Sequence, residues 1–277
     1  MSMTALVPEI PRTPLERLRR AALDGWIIAV RDLTYWVREP ARVVFTLMYP
    51  IMMVLLFGYV FGSAMTVAGG GDYREFLMPG MFAMTMMFGG GATMVAVTTD
   101  GARGVMDRFR SMPMARSGVL VGRSIADMFN STLDLVILVA CGLVVSWRWH
   151  GTLTAALTAF GLLLLLRFSI IWLGIYVGLI LRTPEAAGNA WGLMFPITMI
   201  ANTFVSPSQM PGWLGTIAEW NPMSATVTAT RELFGNPGLG GEAWVTENSL
   251  MMAIVWPIVI CLIFAPLAVR RFRKLSS

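Results

Sequence analysis

The sequence predicts an all-α polytopic membrane protein, in which six transmembrane helices follow an N-terminal amphipathic interfacial helix and both termini are cytoplasmic. Three observations predict this fold class. Hydrophobic residues make up 56% of the 277 residues and charged residues only 13%, against roughly 25% charged in soluble domains. Several apolar runs reach the roughly 20 residues that a helix needs to cross a bilayer. The arginines cluster in alternate loops beside those runs, as is typical of membrane-inserted chains.

The first element is an amphipathic helix over residues 13–39. Thr13 suits the N-cap, Pro14 the first helical position and Glu16 the third, as in a capping box. Apolar residues recur on one helical face, namely Leu15, Leu18, Ala22, Trp26, Val30, Leu33 and Val37. The chain offers no soluble core for this helix to pack on, so we expect it in the membrane interface. Residues 1–40 then form a cytoplasmic N-terminus and connecting helix.

Six hydrophobic spans form a transmembrane domain over residues 41–269. They are predicted near 41–62, 77–99, 124–146, 153–181, 188–205 and 249–269. The fourth is long enough to tilt or to extend beyond the membrane. The fifth contains Pro196, which predicts a kink. A basic tail over residues 270–277 follows the last span.

The arginines set the orientation of these spans. Most lie before the first span, between the second and third, between the fourth and fifth, or after the sixth. Only Arg74, Arg148 and Arg231 lie in the opposite loops. Because cytoplasmic loops carry the excess of basic residues, both termini and the loop over residues 100–123 are predicted to be cytoplasmic.

The largest segment on the outer side covers residues 206–248. Its stretch "PGWLGTIAEW" puts Trp213, Leu214, Ile217 and Trp220 on one helical face, and tryptophans favour the headgroup region. Asn221-Pro222 should break this helix before a second one that runs to Phe234. We expect two short helices lying on the outer face or dipping slightly into it, with a solvated loop as the alternative.

Residue counts exclude several classes of chemistry. Lys274 is the only lysine, so no phosphate-binding loop of the G-x-x-x-x-G-K-[ST] type can occur. His150 is the only histidine, so no His-pair metal site is expected. Cys141 and Cys261 lie in apolar stretches, where buried thiols are expected rather than a disulfide. The net charge of +5 comes from arginines beside the spans, which favours contact with membrane lipid over nucleic acid.

The basic loop between the second and third spans contains "DRFRSMPMARSGVLVGR" at residues 107–123. Topology alone would account for its charge. The pattern goes further, because a short charged helix should end near Met112-Pro113, where the residue before proline disfavours helical geometry. A short helix across the mouth of two spans would be a docking element for a soluble partner.

At this loop the sequence resembles the type-2 ATP-binding-cassette (ABC) export permeases, most closely the daunorubicin-resistance branch. The resemblance is carried by "TTDGARGVMDRFRSMPMARSGVLVGRSIADM" and extends to "FLMPGMFAMTMM", to the lead-helix end "RDLTYWVREP" and to the outer "MPGWLGTIAEWNPMS". It implies a transport subunit that is not itself an enzyme. Two copies would pair, and a separate ATPase subunit, which uses ATP and magnesium, would bind each copy from the cytoplasm.

The resemblance also implies which residues contact the ATPase. These are Asp100, Gly101, Asp107, Arg108, Arg110, Ser111, Pro113 and Arg116 of the loop, with Arg31, Asp32 and Arg38 of the lead helix. The implied activity is export of hydrophobic drugs, antibiotics or lipid-like molecules across a bacterial inner membrane. Export of a polysaccharide is an alternative within the same family.

Charges inside the spans raise a further possibility. Arg167 lies in the fourth span, where an arginine costs about 2.5–3.5 kcal/mol on insertion scales. Asp127, Asn130 and Asp134 share one face of the third span. We predict an Asp134–Arg167 pair that joins two neighbouring spans, in preference to a substrate contact. An ion-coupled secondary transporter that uses Asp127, Asp134 and Arg167 as its relay is the rival function.

Two further sets of span residues carry predictions about packing. Gly174 and Gly178, and the run Gly89–Gly91, permit close helix approach, within one subunit rather than at a dimer seam. A substrate cavity bordered by the second and fifth spans is also predicted, with lipid or core contact as the plainer alternative. Its residues would be Phe82, Met84, Phe88, Phe195, Met199 and Phe204.

Overall fold

The structure is a computed structural model that describes Glu16, Met48 and residues 51–61, 70–102, 116–238 and 244–275. Every regular element in these ranges is helical, which confirms the all-α class. The longer helices are α1 (51–61, with π-helical geometry over Leu56–Phe61), α2 (Tyr73–Ala102), α3 (Arg116–Val144), α4 (Leu153–Gly178) and α10 (Ser249–Leu275). The shorter helices are α5 (Pro184–Gly192), α6 (Met194–Ile200), α7 (Gly212–Trp220), α8 (Pro222–Phe234) and α9 (Trp244–Glu247).

Four helices are long and apolar enough to cross a membrane. They are α2, the part of α3 over Leu120–Val144, α4 and α10 as far as Lys274. These four coincide with the predicted second, third, fourth and sixth spans. The predicted first span is described only at Met48 and along α1, a shorter apolar helix.

The predicted fifth span is divided into α5 and α6 by a turn at Leu193. Pro196 stands third in α6 and has no N–H to donate to the carbonyl one turn earlier, so the helical ladder is interrupted there. Leu193 keeps right-handed helical backbone angles, so the structure shows only a short interruption between α5 and α6, and a kink at Pro196 stays a prediction. Thr183 begins α5 by accepting a hydrogen bond from the Ala186 N–H, at 3.2 Å.

Helix α4 is central to the fold and packs against α2 on one side and α10 on the other. Side chains from α2, α3 and α4 join the main hydrophobic core, which includes Phe82, Leu138 and Leu163. A second cluster fills the space between α4 and α10, where Ile175 packs near Ala268. Eight large apolar side chains of α10 are exposed, as expected of a helix that faces lipid.

The two predicted outer helices are present as α7 and α8. Asn221 separates them and caps α8, because its side chain accepts a hydrogen bond from the Met223 N–H at 2.9 Å. Trp213, Ile217 and Trp220 of α7 are exposed on one face, as the sequence predicts.

The prediction that both helices lie on the outer face is wrong for α8. Residues 223–231 are buried without interruption, because the helix consists largely of alanine, serine and threonine and can approach its neighbours closely. It packs against α2, α4 and α10. Helix α8 is therefore an internal element, closed by Gly235 in left-handed geometry.

Candidate functional site

The buried charge of Arg167 is the centre of a polar network between α2, α3 and α4. Arg167 is only 4% exposed. It lies against α2 at Gly89, where an added Cβ would be 2.8 Å from the guanidinium carbon. Gly89 therefore provides the space that the guanidinium occupies, which gives this glycine a structural role.

Two hydroxyl groups accept hydrogen bonds from Arg167. Its Nε donates to Ser131 Oγ at 2.6 Å, and its Nη2 donates to Thr93 Oγ1 at 3.3 Å. The Thr93 hydroxyl in turn donates to Asp127 Oδ2 at 2.7 Å. A buried charge is stabilised when it is hydrogen-bonded and near an opposite charge, and here Thr93 joins the arginine to the carboxylate.

The predicted partner, Asp134, has no hydrogen bond with Arg167. Asp134 Oδ1 and Arg167 Nη1 are both buried without a hydrogen-bond partner in the described part of the chain. The two charges still attract each other, as do those of Arg167 and Asp127. The direct contacts of Arg167 are with Ser131 and Thr93, and a functional Asp134–Arg167 pair stays a prediction.

At its other end the network reaches the base of the loop over residues 100–123. Arg123 Nη1 donates to Asp100 Oδ2 at 2.6 Å, which links the end of α2 to the second turn of α3. The Nε of Arg123 is 4.0 Å from Asp127 Oδ2. Arg123 therefore lies between Asp100, to which it is bonded, and the Asp127–Thr93–Arg167 group, which it approaches to 4.0 Å.

The structure describes three of the predicted ATPase contacts. Asp100 is partly exposed and paired, Gly101 is exposed, and Arg116 begins α3. The other predicted contacts lie outside the described residues: Asp107, Arg108, Arg110, Ser111 and Pro113 of the loop, and Arg31, Asp32 and Arg38 of the lead helix.

Sequence reasoning did not assign a role to Arg123, Thr93 or Ser131. The four-residue spacing of Arg123 and Asp127 is a helical ion-pair signal. It was available in the sequence, where Arg123 was counted only toward the charge of the loop. The hydroxyl groups gave no such signal, because span threonines and serines commonly bond to their own helix backbone.

A second buried arginine joins α8 to α2 and to the segment that follows α6. The guanidinium of Arg231 donates to the carbonyl oxygens of Phe76 (2.8 Å), Asn202 (2.9 Å) and Thr203 (3.0 Å). Asn202 and Thr203 follow α6 in a non-helical segment, whose carbonyls lack helical partners. Arg231 supplies donors for these carbonyls.

The position of Arg231 corrects its assignment to an outer loop. It is fully buried in α8, with its guanidinium carbon 3.7 Å from the centre of the Phe76 ring. Burial lowers the pKa of Arg231 to about 9, so the group is still protonated at neutral pH. Three carbonyls and the face of an aromatic ring therefore stabilise this buried charge.

Five of the six residues of the predicted substrate cavity belong to the main hydrophobic core, and their ring contacts fall at three places. Phe82 packs edge-on against Trp147, with ring centres 5.1 Å apart. Phe204 contacts Phe57 at 4.3 Å, on the side of α1. The third place brings together two of the predicted residues, Phe88 and Phe195, at 6.3 Å. Met84 is buried in the main core, and Met199 is partly buried against it.

The glycine steps serve packing within one chain, as predicted. An added Cβ at Gly174 would lie 2.8 Å from the carbonyl oxygen of Gly90, and one at Gly178 would lie 2.8 Å from that of Met94. Thr98 also donates to the carbonyl of Gly178 at 3.1 Å. The backbones of α2 and α4 therefore approach closely along this seam.

The chain is similar to known transport proteins over most of its length. The sequence model of the ABC-2 type transporter family matches residues 25–234. The chain is similar to the daunorubicin resistance ABC transporter permease protein DrrB1 of Streptomyces coeruleorubidus, with 29% identity over 239 residues, covering 86% of this chain and 82% of the relative. It is similar to the probable doxorubicin resistance ABC transporter permease protein DrrC of Mycobacterium tuberculosis, with 21% identity covering 89% and 87%. A putative transport permease, ycf38, of Cyanophora paradoxa is 21% identical, covering 86% and 83%.

Proposed function

The chain belongs to the ABC-2 type transporter family, and from this premise we propose that it is the membrane subunit of an ATP-driven exporter of hydrophobic drugs, antibiotics or lipid-like molecules. The similarity that carries this proposal is the match to permeases named for daunorubicin and doxorubicin resistance, which extends over most of both chains. The exporter would contain two copies of this chain and two separate ATPase subunits, which supply ATP and magnesium chemistry.

The proposed topology has six spans with both termini in the cytoplasm of a bacterial cell, and the lead helix in the membrane interface. The four long apolar helices support it. The apolar α1 would belong to the first span, and α5 and α6 together would form an interrupted fifth span. The arginine distribution gives the orientation.

The loop over residues 100–123 and the lead helix would receive the movement of the ATPase. The ion pair between Asp100 and Arg123 supports this role, because it ties the last turn of α2 to the start of α3. A pull on the loop would therefore act on both helices together. Hydrolysis has to come from a partner, because a chain whose only lysine is Lys274 has no phosphate-binding loop.

Vesicle transport tests the proposal directly. The chain is reconstituted with a candidate ABC ATPase subunit from the same genome, daunorubicin is the probe, and the proton gradient is collapsed with an ionophore. ATP-dependent movement of daunorubicin that continues without the gradient is the expected result. Transport that stops when the gradient is collapsed and does not depend on ATP would support the ion-coupled secondary transporter.

The ion-coupled rival is kept because of one specific observation. Asp127, Thr93 and Arg167 form a buried network of the kind found along proton or ion pathways. The exporter function is preferred because the network also reaches Asp100 at the loop, where a soluble partner would act.

A further inference from the structure

We propose that Arg123 is a positioning residue that alternates between Asp100 and Asp127, and that this exchange transmits movement of the loop over residues 100–123 to the buried Arg167. The proposal rests on the proposed function, since it assumes that an ATPase moves the loop. It adds a component that the sequence did not suggest, namely a charged side chain with two partners on two helices.

Arg123 has a hydrogen bond to Asp100 but none to Asp127. Its Nη1 donates to Asp100 at 2.6 Å. Its Nε is buried, has no hydrogen-bond partner among the described residues, and is 4.0 Å from Asp127 Oδ2. A buried donor without a partner is unfavourable, so a small shift toward Asp127 would recover a charge-assisted bond as the contact with Asp100 is lost.

The two partners of Arg123 lie on different helices. Asp127 is one turn further along α3, so its distance from Arg123 varies little when helices move. Asp100 is on α2, and a relative displacement of the ends of α2 and α3 would break its contact. Movement of the loop would therefore select Asp127 as the partner, without any change in α3 itself.

A bond from Arg123 to Asp127 would compete with a hydrogen bond that Asp127 already accepts. The Asp127 oxygen that Arg123 would reach, Oδ2, already accepts from the Thr93 hydroxyl at 2.7 Å. The same hydroxyl accepts from Arg167. When Arg123 binds Asp127, the bond from Thr93 weakens, and the link between α2 and the guanidinium of Arg167 loosens. A change in the position of the loop would thus alter the contacts of Arg167.

A charge exchange separates this alternation from a static ion pair. The double variant Asp100→Arg with Arg123→Asp reverses the pair at the base of the loop and keeps its attraction. It also places an aspartate beside Asp127, so the second contact becomes repulsive. Because Asp100 is itself a predicted ATPase contact, assembly and ATP hydrolysis are measured first. In reversed-pair complexes that assemble and hydrolyse ATP, daunorubicin moved per ATP should fall roughly tenfold. Wild-type transport by the reversed pair would overturn the proposal.

Single variants test the proposal if the double variant does not assemble with the ATPase. Thr93→Val keeps the side-chain shape but removes the hydroxyl between Asp127 and Arg167, and it should also lower transport per ATP with hydrolysis retained. Arg123→Gln should behave alike, and Arg123→Lys should restore part of the ratio. Unchanged transport per ATP in Thr93→Val or Arg123→Gln would overturn the proposal.

A matched control and the wild-type chain complete the design. Arg182→Gln removes an exposed arginine from another loop on the same predicted side and should leave the ratio of transport to hydrolysis unchanged. Wild-type vesicles without ATP-dependent transport would refute the proposed function itself. A wild type that transports, together with a reversed pair that transports equally well, would refute only the alternation of Arg123.

Discussion

Arg231 shows how one side chain can hold an irregular backbone inside a helical fold. Its three donors serve three carbonyl oxygens on two different parts of the chain. Backbone carbonyls left without partners in a buried segment are costly. The arginine therefore acts for the segment after α6 as a side-chain cap acts at the end of a helix.

Arg231→Met should destabilise the fold, because it leaves the carbonyls of Phe76, Asn202 and Thr203 without donors. The expected loss is about 3 kcal/mol or more, since bonds from a charged donor contribute about 1.5–3 kcal/mol each. Thermal unfolding in detergent measures it as a lower Tm. Arg231→Lys should lie between the two, because one ammonium group cannot reproduce the planar fork.

The exposed Arg182 provides the control for this measurement, because Arg182→Gln should leave the Tm almost unchanged. An Arg231→Met chain that unfolds at the wild-type temperature would contradict the role assigned to Arg231.

The sequence predicted the need to compensate Arg167 but not the groups that do so. Helical spacing placed Asp127 and Asp134 on one face, and depth counting favoured Asp134. The side-chain contacts depend on helix rotation and on the space at Gly89, which depth counting does not include. Arg231 was predicted only as a charge in a loop. Its partners are backbone carbonyls, which have no signature in the sequence.

At the scale of helices, the close approach of α2 and α4 can be tested with glycine substitutions. Gly174→Ala would bring a methyl group within 2.8 Å of the Gly90 carbonyl oxygen, and backbone atoms cannot move aside easily. Overpacking of this kind costs about 1–3 kcal/mol, so the Tm in detergent should fall.

Gly161→Ala is the matched control in the same helix. An added Cβ at Gly161 meets no atom within 4 Å, and alanine favours helix over glycine by about 1 kcal/mol. This variant should therefore unfold at or slightly above the wild-type temperature. Equal effects of the two substitutions would show that the seam is less tightly packed than described.

Helices were predicted more reliably than their depth in the fold. Apolar runs placed α2, α3, α4 and α10 well, because their length is fixed by the bilayer. Helix α8 was also predicted as a helix but assigned to the surface. Its stretch "SATVTATRELF" has little hydrophobicity, and burial there comes from the small size of its residues, a property that hydropathy does not weigh.

For the whole molecule, the proposed orientation gives a labelling prediction. Ala102 at the end of α2 and Gly212 at the start of α7 are both exposed and lie on opposite predicted sides. In a background with Cys141→Ser and Cys261→Ser, Gly212→Cys should react with a membrane-impermeant maleimide in intact cells.

Ala102→Cys should react with the same reagent only after the cells are permeabilised. The opposite pattern would invert the topology derived from the arginines, and labelling of both positions in intact cells would contradict a membrane between them.

The four long apolar helices were predictable because they depend on hydropathy, which is additive along the chain. The network from Asp100 to Arg167 was not, because it depends on which faces of three helices meet. Arg123 illustrates the difference: its charge could be counted from the sequence, while its contacts with α2 required the packed structure.

The glycine seam restricts how the chain can change shape. Since α2 and α4 touch backbone to backbone at Gly174 and Gly178, sliding one past the other would drive carbonyl oxygens into Cα atoms, and the two helices must turn as one body. Helix α3 is much less enclosed than either of them. A rearrangement of this half of the molecule is therefore expected to move α3 relative to a fixed α2–α4 pair.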